Sequence, residues 1–295
     1  MIVNDILQPF YFDRLPVRGA LVQLRQTQFD LLANRDYPLS IASLLGQGAA
    51  ATSLIASLMK FSGRLTLQLS GNGPLSIFVI QSTDDLSLRG MALVDDRALP
   101  SAAELDFRTL TKGSRCSLAV EAKNLRERYQ GIVAVDAPSL ERSLDQYFKA
   151  SVQVPTRLWL QAGPDVAGGL MLQLIDGAGA GDIAEEWSRL QLLAETLPPH
   201  ELGSGDGVAL LRRIFREDDL RVPPGRPVRF HCGCSRERAG RAVMLLGKAD
   251  ALQAVTEQGV LNVTCEFCGN EHRLDAVDVT ELFSGSGEPA SSGIH

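Results

Sequence analysis

Four of the five cysteines in this chain fall into two tight pairs, Cys232-Gly233-Cys234 and Cys265-Glu266-Phe267-Cys268, with thirty residues between them. Four thiolates gathered at this spacing complete a closed tetrahedral shell, for which zinc is the natural occupant and iron the alternative that an all-sulfur site also accepts. A closed shell keeps no position for water or substrate, so the chemistry on offer is structural or redox and not hydrolytic. The thirty intervening residues are room for a helix and a hairpin that fold the pairs together. Gly233 relieves crowding between ligands two residues apart, and Gly269 supplies the positive φ that metal-binding turns commonly need.

The same spacing permits a second chemistry. Cysteines at i,i+2 and i,i+3 bring their Cα atoms within the disulfide range of about 4.4 to 6.8 Å, so each pair can close on itself. Oxidation would then remove all four ligands at once, because binding needs deprotonated thiols, and the metal would leave. Residues 226 to 278 lie near the limit of roughly 40 to 65 residues at which an apolar core suffices without a metal or disulfide. Structural zinc contributes on the order of 10 to 16 kcal/mol in small modules, so its loss is expected to unfold this one. The plainer alternative is a zinc ribbon that only staples a C-terminal domain.

Those pairs must be positioned by a chain of 295 residues, 45% hydrophobic, long enough for one large core and at least one smaller unit. Net charge is −6, and residues 226 to 278 carry seven basic against seven acidic side chains. Phosphate binding normally needs a basic face, so this balance disfavours nucleic acid as the module's partner. Met1 to Phe12 shows no basic leader, and no apolar run is expected to reach the roughly 18 residues of a membrane span. The expected setting is the cytoplasm, where reducing conditions favour metal or redox chemistry over permanent bridges.

Pro38 to Phe61 reads as a long helix, apolar on most of its surface and packed on both sides. Leu65, Leu67 and Leu69 alternate with polar residues, Gly71-Asn72-Gly73 turns, and Leu75, Ile77 and Val79 alternate again, which is a β-hairpin. Further strands are expected near Leu86–Val94, Cys116–Ala122, Gly131–Val135, Arg157–Gln161 and Leu170–Ile175. They lack intervening helices long enough for parallel crossovers, so the sheet is antiparallel or mixed and the class α+β. Ser139 caps a helix to about Ala150 that buries Leu140, Leu144, Tyr147 and Phe148.

Gly177-Ala178-Gly179-Ala180-Gly181 marks a boundary; it lacks the ending and spacing of a phosphate loop, as does Gly247-Lys248-Ala249. Asp182 with Glu185 forms a capping box ahead of an amphipathic helix carrying Trp187, Leu190, Ala194 and Leu197. Pro198-Pro199 ends it, and Asp206 begins a second short helix with Val208, Leu211, Ile214 and Phe215. Both are expected to rest on the first domain and to be too short to persist alone in water. Cys116, alone in the strand region, reads as a buried structural thiol. His200, His231, His272 and His295 show no metalloprotease spacing, and His231 beside Cys232 is at most an alternative ligand.

Phe-His-Cys-Gly-Cys-Ser-Arg-Glu-Arg at 230–238 and Cys-Glu-Phe-Cys-Gly at 265–269 resemble the signature of the redox-regulated heat-shock protein 33 (HslO-type) chaperone family. Pro16-Val17-Arg18-Gly19, Tyr37-Pro38, Lys60-Phe61-Ser62-Gly63, Tyr129-Gln130-Gly131-Ile132-Val133 and Tyr147-Phe148 extend the resemblance over nearly the whole chain. Val152 departs from it, since the family usually carries an acidic residue there. The resemblance implies a holdase that is folded and largely inactive with one zinc bound when reduced. Oxidised, it releases zinc, unfolds its C-terminal part, favours homodimers and holds unfolding client proteins without ATP.

The expected organisation is an α+β core at 1–176, a metastable helical linker at 177–227, and a zinc and redox-switch module at 228–295 with a disordered tail. Cys232, Cys234, Cys265 and Cys268 are expected to be both zinc ligands and thiol sensors, with no catalytic turnover, nucleic acid or membrane involved. Two rivals are a zinc-ribbon nucleic-acid binder, against which the even charge stands, and a thiol-disulfide oxidoreductase using Cys265 and Cys268, which lacks the expected βαβ context.

Overall fold

The computed structural model describes residues 5–33, 35–59, 61–95, 106–122, 129–175 and 183–284. The chain divides into two compact units, residues 1–231 and 232–295. In the larger one, β1 (Ile6–Phe12) and β2 (Val17–Leu24) run antiparallel, with Ile6 opposite Gln23 and Tyr11 opposite Arg18. The buried carboxylate of Asp5 caps the next helix, α1 (Gln26–Leu32), from a distance in sequence. Its Oδ1 accepts the amides of Arg25 (2.6 Å) and Gln26 (3.1 Å), and its Oδ2 that of Thr27 (2.5 Å). Those bonds satisfy both a buried charge and the open end of a helix.

Helix α2 (Leu39–Leu58) has fourteen of its twenty residues buried, so almost no face is left for water. Contrary to the expected absence of such a run, α2 is long and apolar enough to cross a bilayer, because alanines and glycines keep its hydropathy high. Its most apolar window is 78% buried inside the protein, which makes it a core helix. Thr52 and Ser53 donate back to the carbonyls of Gly48 (2.7 Å) and Ala49 (2.8 Å), so their hydroxyls enter the core paired. A Cβ on Gly48 would stand 2.5 Å from the Phe78 ring, so only glycine admits this approach. Met59 turns extended and ends the helix earlier than the expected Phe61.

After α2 come the expected hairpin β3 (Gly63–Ser70) and β4 (Leu75–Thr83), then β5 (Ser87–Val94), a short α3 (Phe107–Leu110), β6 (Arg115–Ala122) and β7 (Tyr129–Val133). Ser139 accepts the Arg142 amide at 3.3 Å and caps α4 (Leu140–Tyr147), which buries Leu140, Leu144 and Tyr147. A π-helical turn follows over Phe148–Val152. Strands β8 (Thr156–Ala162) and β9 (Ala167–Leu174) complete the framework.

Helix α5 (Ala184–Glu195) has Ile183 at its N-cap; the expected cap Asp182 lies outside the described residues, as do the 177–181 stretch, the boundary at 176 and the tail beyond 284. Then come α6 (Pro199–Leu202), which the sequence reading did not anticipate, and α7 (Gly207–Ile214), capped by Asp206 as expected. Strands β10 (Leu220–Arg221), β11 (Arg226–Pro227) and β12 (Arg229–Phe230) close the unit.

One sheet runs β10-β1-β2-β9-β8, with β11 also on β1, and the other β12-β5-β4-β3-β6-β7. All pairings among the described residues are antiparallel except β12 with β5. Side chains of α2 share one core with the inner faces of both sheets, among them Val22, Ile41, Leu54, Leu67, Phe78 and Met171. The outer face of the first sheet forms a second core, in which Phe10, Leu21 and Leu172 meet Leu190 of α5 and Leu211 and Phe215 from α7 and its C-terminal end.

Asp145 ties α4 to β8 by accepting the Leu158 amide (2.9 Å), and it faces Arg157 (3.4 Å) and Arg142 (3.7 Å). Arg157 also reaches Glu195 of α5 (3.2 Å). Burial outweighs the nearby guanidinium groups and pushes the Asp145 carboxyl up to about 6. A folded value above the unfolded one of about 3.9 means that the folded chain holds the extra proton between the two. This group's stabilising contribution is therefore fully present below about pH 4 and lost as pH rises through about 6. The loss amounts to ~3 kcal/mol. Urea unfolding followed by tryptophan fluorescence from pH 4 to 7 should show the parent losing that much relative to Asp145→Asn; a pH-independent difference would mean that Asp145 titrates normally.

Candidate metal centre

In the smaller unit, each cysteine pair sits at the start of a regular element. Cys234 is followed at once by Ser235, whose hydroxyl accepts the Arg238 amide (3.3 Å) and caps α8 (Arg236–Met244). Arg238 also donates to the Gly233 carbonyl at 2.7 Å, clamping the first pair onto the helix. Helix α9 (Lys248–Gln258) and strand β13 (Leu261–Thr264) lead to the second pair, which occupies the turn before β14 (Glu271–Leu274). In that turn the Cys265 amide donates to the Asn270 carbonyl (2.9 Å) and the Gly269 amide to the Cys265 carbonyl (2.8 Å).

The expected single helix and hairpin between the pairs is thus corrected. Two helices lie between them, and the hairpin carries the second pair in its own turn. A four-sulfur site needs each pair on a tight knuckle, and the knuckle doubles as the hairpin loop. Gly233 and Gly269 have φ of 65° and 68°, so both knuckles use the left-handed conformation that favours glycine.

The Sγ atoms of Cys232 and Cys265 are 3.4 Å apart, as are those of Cys234 and Cys268. All four lie within 4.8 Å of one another. Sulfurs about 2.3 Å from a central zinc would be about 3.8 Å apart, which falls inside this spread, so the donor set fits a closed tetrahedral ion. None of the four cysteines is in a disulfide. The group is complete without His231, whose amide donates to the Leu88 carbonyl in the larger unit (2.7 Å).

The sulfurs are electrostatically unequal. Burial opposes ionisation of Cys265, but the amides of Cys268 and Phe267, aided by hydrogen bonds from neighbouring thiols, overcome it and bring this thiol down to about 7. Burial pushes Cys268 upward, and burial with the Cys265 hydrogen bond raises Cys232. Cys265 thus ionises more readily than Cys232 or Cys268, an asymmetry that favours it as nucleophile or first ligand. Those amide donors were not recognised from sequence. The signal was present in Cys265-Glu266-Phe267-Cys268-Gly269, where a tight turn ending in glycine aims successive amides inward.

Around the centre the apolar core is small. Val243, Ala251, Val255, Leu274 and Val279 are buried, the last on α10 (Ala276–Ser284). Asp275 caps α10 through the amides of Val277 and Asp278 (both 2.9 Å), and Arg236 pairs with Asp278. In the larger unit Cys116 is fully buried in β6 opposite Leu69, and burial pushes its thiol up to about 12, as suits an inert core residue.

A family model described as Hsp33 protein matches residues 5–275 of this chain. The 33 kDa chaperonin of Ectopseudomonas mendocina (strain ymp) is 36% identical over 294 residues, 98% of this chain and 99% of that protein. The 33 kDa chaperonin of Vibrio parahaemolyticus serotype O3:K6 is 34% identical, covering 95% of this chain and 96% of the relative. In structure the chain resembles the 33 kDa chaperonin (heat shock protein 33 homolog) of Thermotoga maritima, with a TM-score of 0.80 at 22% identity over 95% of this chain and 98% of that one.

Reduced protein should carry one zinc per chain by metal analysis, and serine at any one of the four clustered cysteines should weaken binding sharply. Cys116→Ser should leave zinc content unchanged. Zinc should be released progressively as pH falls, because protons compete for the sulfurs. Well under one equivalent, or iron in place of zinc, would overturn the closed-zinc assignment.

Proposed function

The chain belongs to the Hsp33 protein family, and from that membership we propose that it is a redox-switched holdase, a chaperone that binds unfolding proteins after oxidation and without ATP. The observation that carries this reading is the four-sulfur cluster in a unit whose core, among the described residues, is a cluster of five buried side chains with five partly buried hydrophobics packed against it. A metal worth on the order of 10 kcal/mol is decisive at that size. Cys232, Cys234, Cys265 and Cys268 are, in this proposal, both the zinc ligands and the oxidant sensors. Bound zinc would supply a structural cross-link, and the chain's own residues do the rest.

The Cys265 knuckle, with two amides aimed at its sulfur, holds the thiolate that meets peroxide first. A sulfenic acid forms with loss of one water, and the neighbouring thiol displaces the second as the S–S bond closes. Each dithiol thus passes two electrons to one peroxide. With its ligands spent, the smaller unit loses its cross-link and melts, while the larger keeps its helix-filled core.

Helices α5 and α7 respond next. They are short, and their stability rests on Leu190, Ala194, Leu211 and Phe215 lying against the first sheet. The chain after them pairs with both sheets through the two-residue strands β10, β11 and β12, supplemented by Val228 in the core and by the Arg229–Asp85 ion pair. Once loosened, these helices and the sheet face beneath them offer apolar surface to unfolding clients. A cytoplasmic setting, oxidised homodimers and the absence of catalytic turnover belong to the same proposal.

Light scattering of a heat-unfolding client should fall with peroxide-treated protein and not with reduced protein, ATP being absent from both. Trp187 fluorescence should shift toward solvent in step with zinc release, and reductant plus zinc should reverse all three. Hydrogen exchange decides the coupling: unchanged protection from Ile183 to Asp278 in oxidised protein that still suppresses aggregation would refute it.

A further inference from the structure

Between the two sheets, at the last turn of α2, lies a cavity of about 310 Å³ whose lining belongs entirely to the larger unit. Its walls are apolar: Ile55 and Leu58 of α2, Leu118 and Val120 of β6, and Phe148 of the π-helical turn. Met59, Tyr129 and Val152 at its edge are themselves exposed large side chains, so the space opens to solvent. Size and lining match small-molecule sites, which are mostly apolar with a few placed polar groups.

The charged group here is Arg18, the one charged residue in the lining among the described residues. Its Nε and Nη2 both donate to Gln173 Oε1, at 3.0 and 2.6 Å. Gln173 is 4% exposed and is fixed in turn by donating to Thr156 Oγ1 at 2.9 Å. Among the described residues no carboxylate pairs with Arg18, and none lines the cavity. A half-buried guanidinium held by a neutral amide beside apolar walls keeps donors and charge uncompensated, an arrangement that favours an anion. A polar anion would leave the walls unfilled, and a neutral alkyl chain would leave the guanidinium unpaired.

We infer that this cavity binds a single-chain amphiphilic carboxylate, its head on the Arg18 guanidinium and its alkyl chain between Ile55, Val120 and Phe148. The guanidinium fork matches a carboxylate in two parallel hydrogen bonds, and the walls take the chain out of water. The site is independent of the cysteine cluster and of any redox reading of it.

The test uses full-length, reduced, metal-loaded protein and three probes below their aggregation limits: decanoate, 1-decanol and butanoate. Calorimetry should show saturable one-to-one binding of decanoate, with decanol and butanoate each weaker by at least about tenfold. Methyl resonances of Ile55 and Val120 should shift with the same saturation. Arg18→Met should weaken decanoate by at least about tenfold and leave decanol unchanged, whereas Val152→Trp at the edge should weaken both. Unsaturable uptake, decanol binding as tightly as decanoate, or Arg18→Met retaining parental decanoate affinity would each overturn the assignment. If Arg18→Met does not fold, the comparison of decanoate with decanol on the parent chain decides alone.

Discussion

Helix α2 has to be dry on every side, and most of the larger unit follows from that. A helix packed between two sheets can present neither a polar stripe nor a bulky one. Its sequence is accordingly small and apolar, with the hydroxyls of Thr52 and Ser53 folded back onto its own carbonyls. Glycine where Phe78 presses in lets the sheet approach the backbone. Where the helix stops at Met59 its volume ends while both sheets continue, and the gap left is the cavity around Arg18.

The smaller unit solves the opposite problem. Among the described residues its core cluster has five buried apolar side chains and five partly buried ones packed on them, far fewer than the larger unit, and local devices add to the order. Ser235 and Asp275 cap helices next to the cysteine knuckle and the hairpin, and Arg238 and Arg236 tie chain ends together. Each contributes about a kilocalorie per mole, so none substitutes for a metal. On the proposed reading the two units would differ in what unfolds them: loss of packing for one, loss of sulfur ligands for the other.

Legibility in the sequence followed the range of the interactions. The cysteine pairs, the long helix, the β3–β4 hairpin, the Ser139 and Asp206 caps and the buried Cys116 are signalled by neighbours within a few residues, and the structure contains them. Strands β1 and β2 were not read, because both faces of this sheet are covered and the alternation that marks a half-exposed strand is missing. Pro9 also argues against a strand. It is tolerated because β11 pairs at Ile6–Leu7 and β10 at Tyr11–Phe12, leaving the edge at Pro9 unpaired. The Asp5 cap on α1 and the meeting of Arg18 with Gln173 join residues far apart in sequence, and no local pattern announces them. The four-sulfur site was legible in its ligands but not in its scaffold, since two helices fill the interval as well as one.

Strand β9 is buried along its whole length. On one side it meets α2, which cannot leave without emptying the core. On the other, its sheet meets α5 and α7, held there mainly by apolar contact, with the Arg157–Glu195 pair at the edge and a tether of backbone. Such contact is non-directional, so the face formed by Phe10, Leu21 and Leu172 has little means of telling a tethered helix from an apolar segment of another chain. If the proposed holdase takes its clients on that face, the protein's own helices act as a resident competitor at high local concentration. The affinity of any outside occupant of that face is its intrinsic affinity multiplied by the fraction of molecules in which the competitor is unseated. Affinity can then be raised or lowered by lengthening or freeing the tether, with every contacting side chain unchanged.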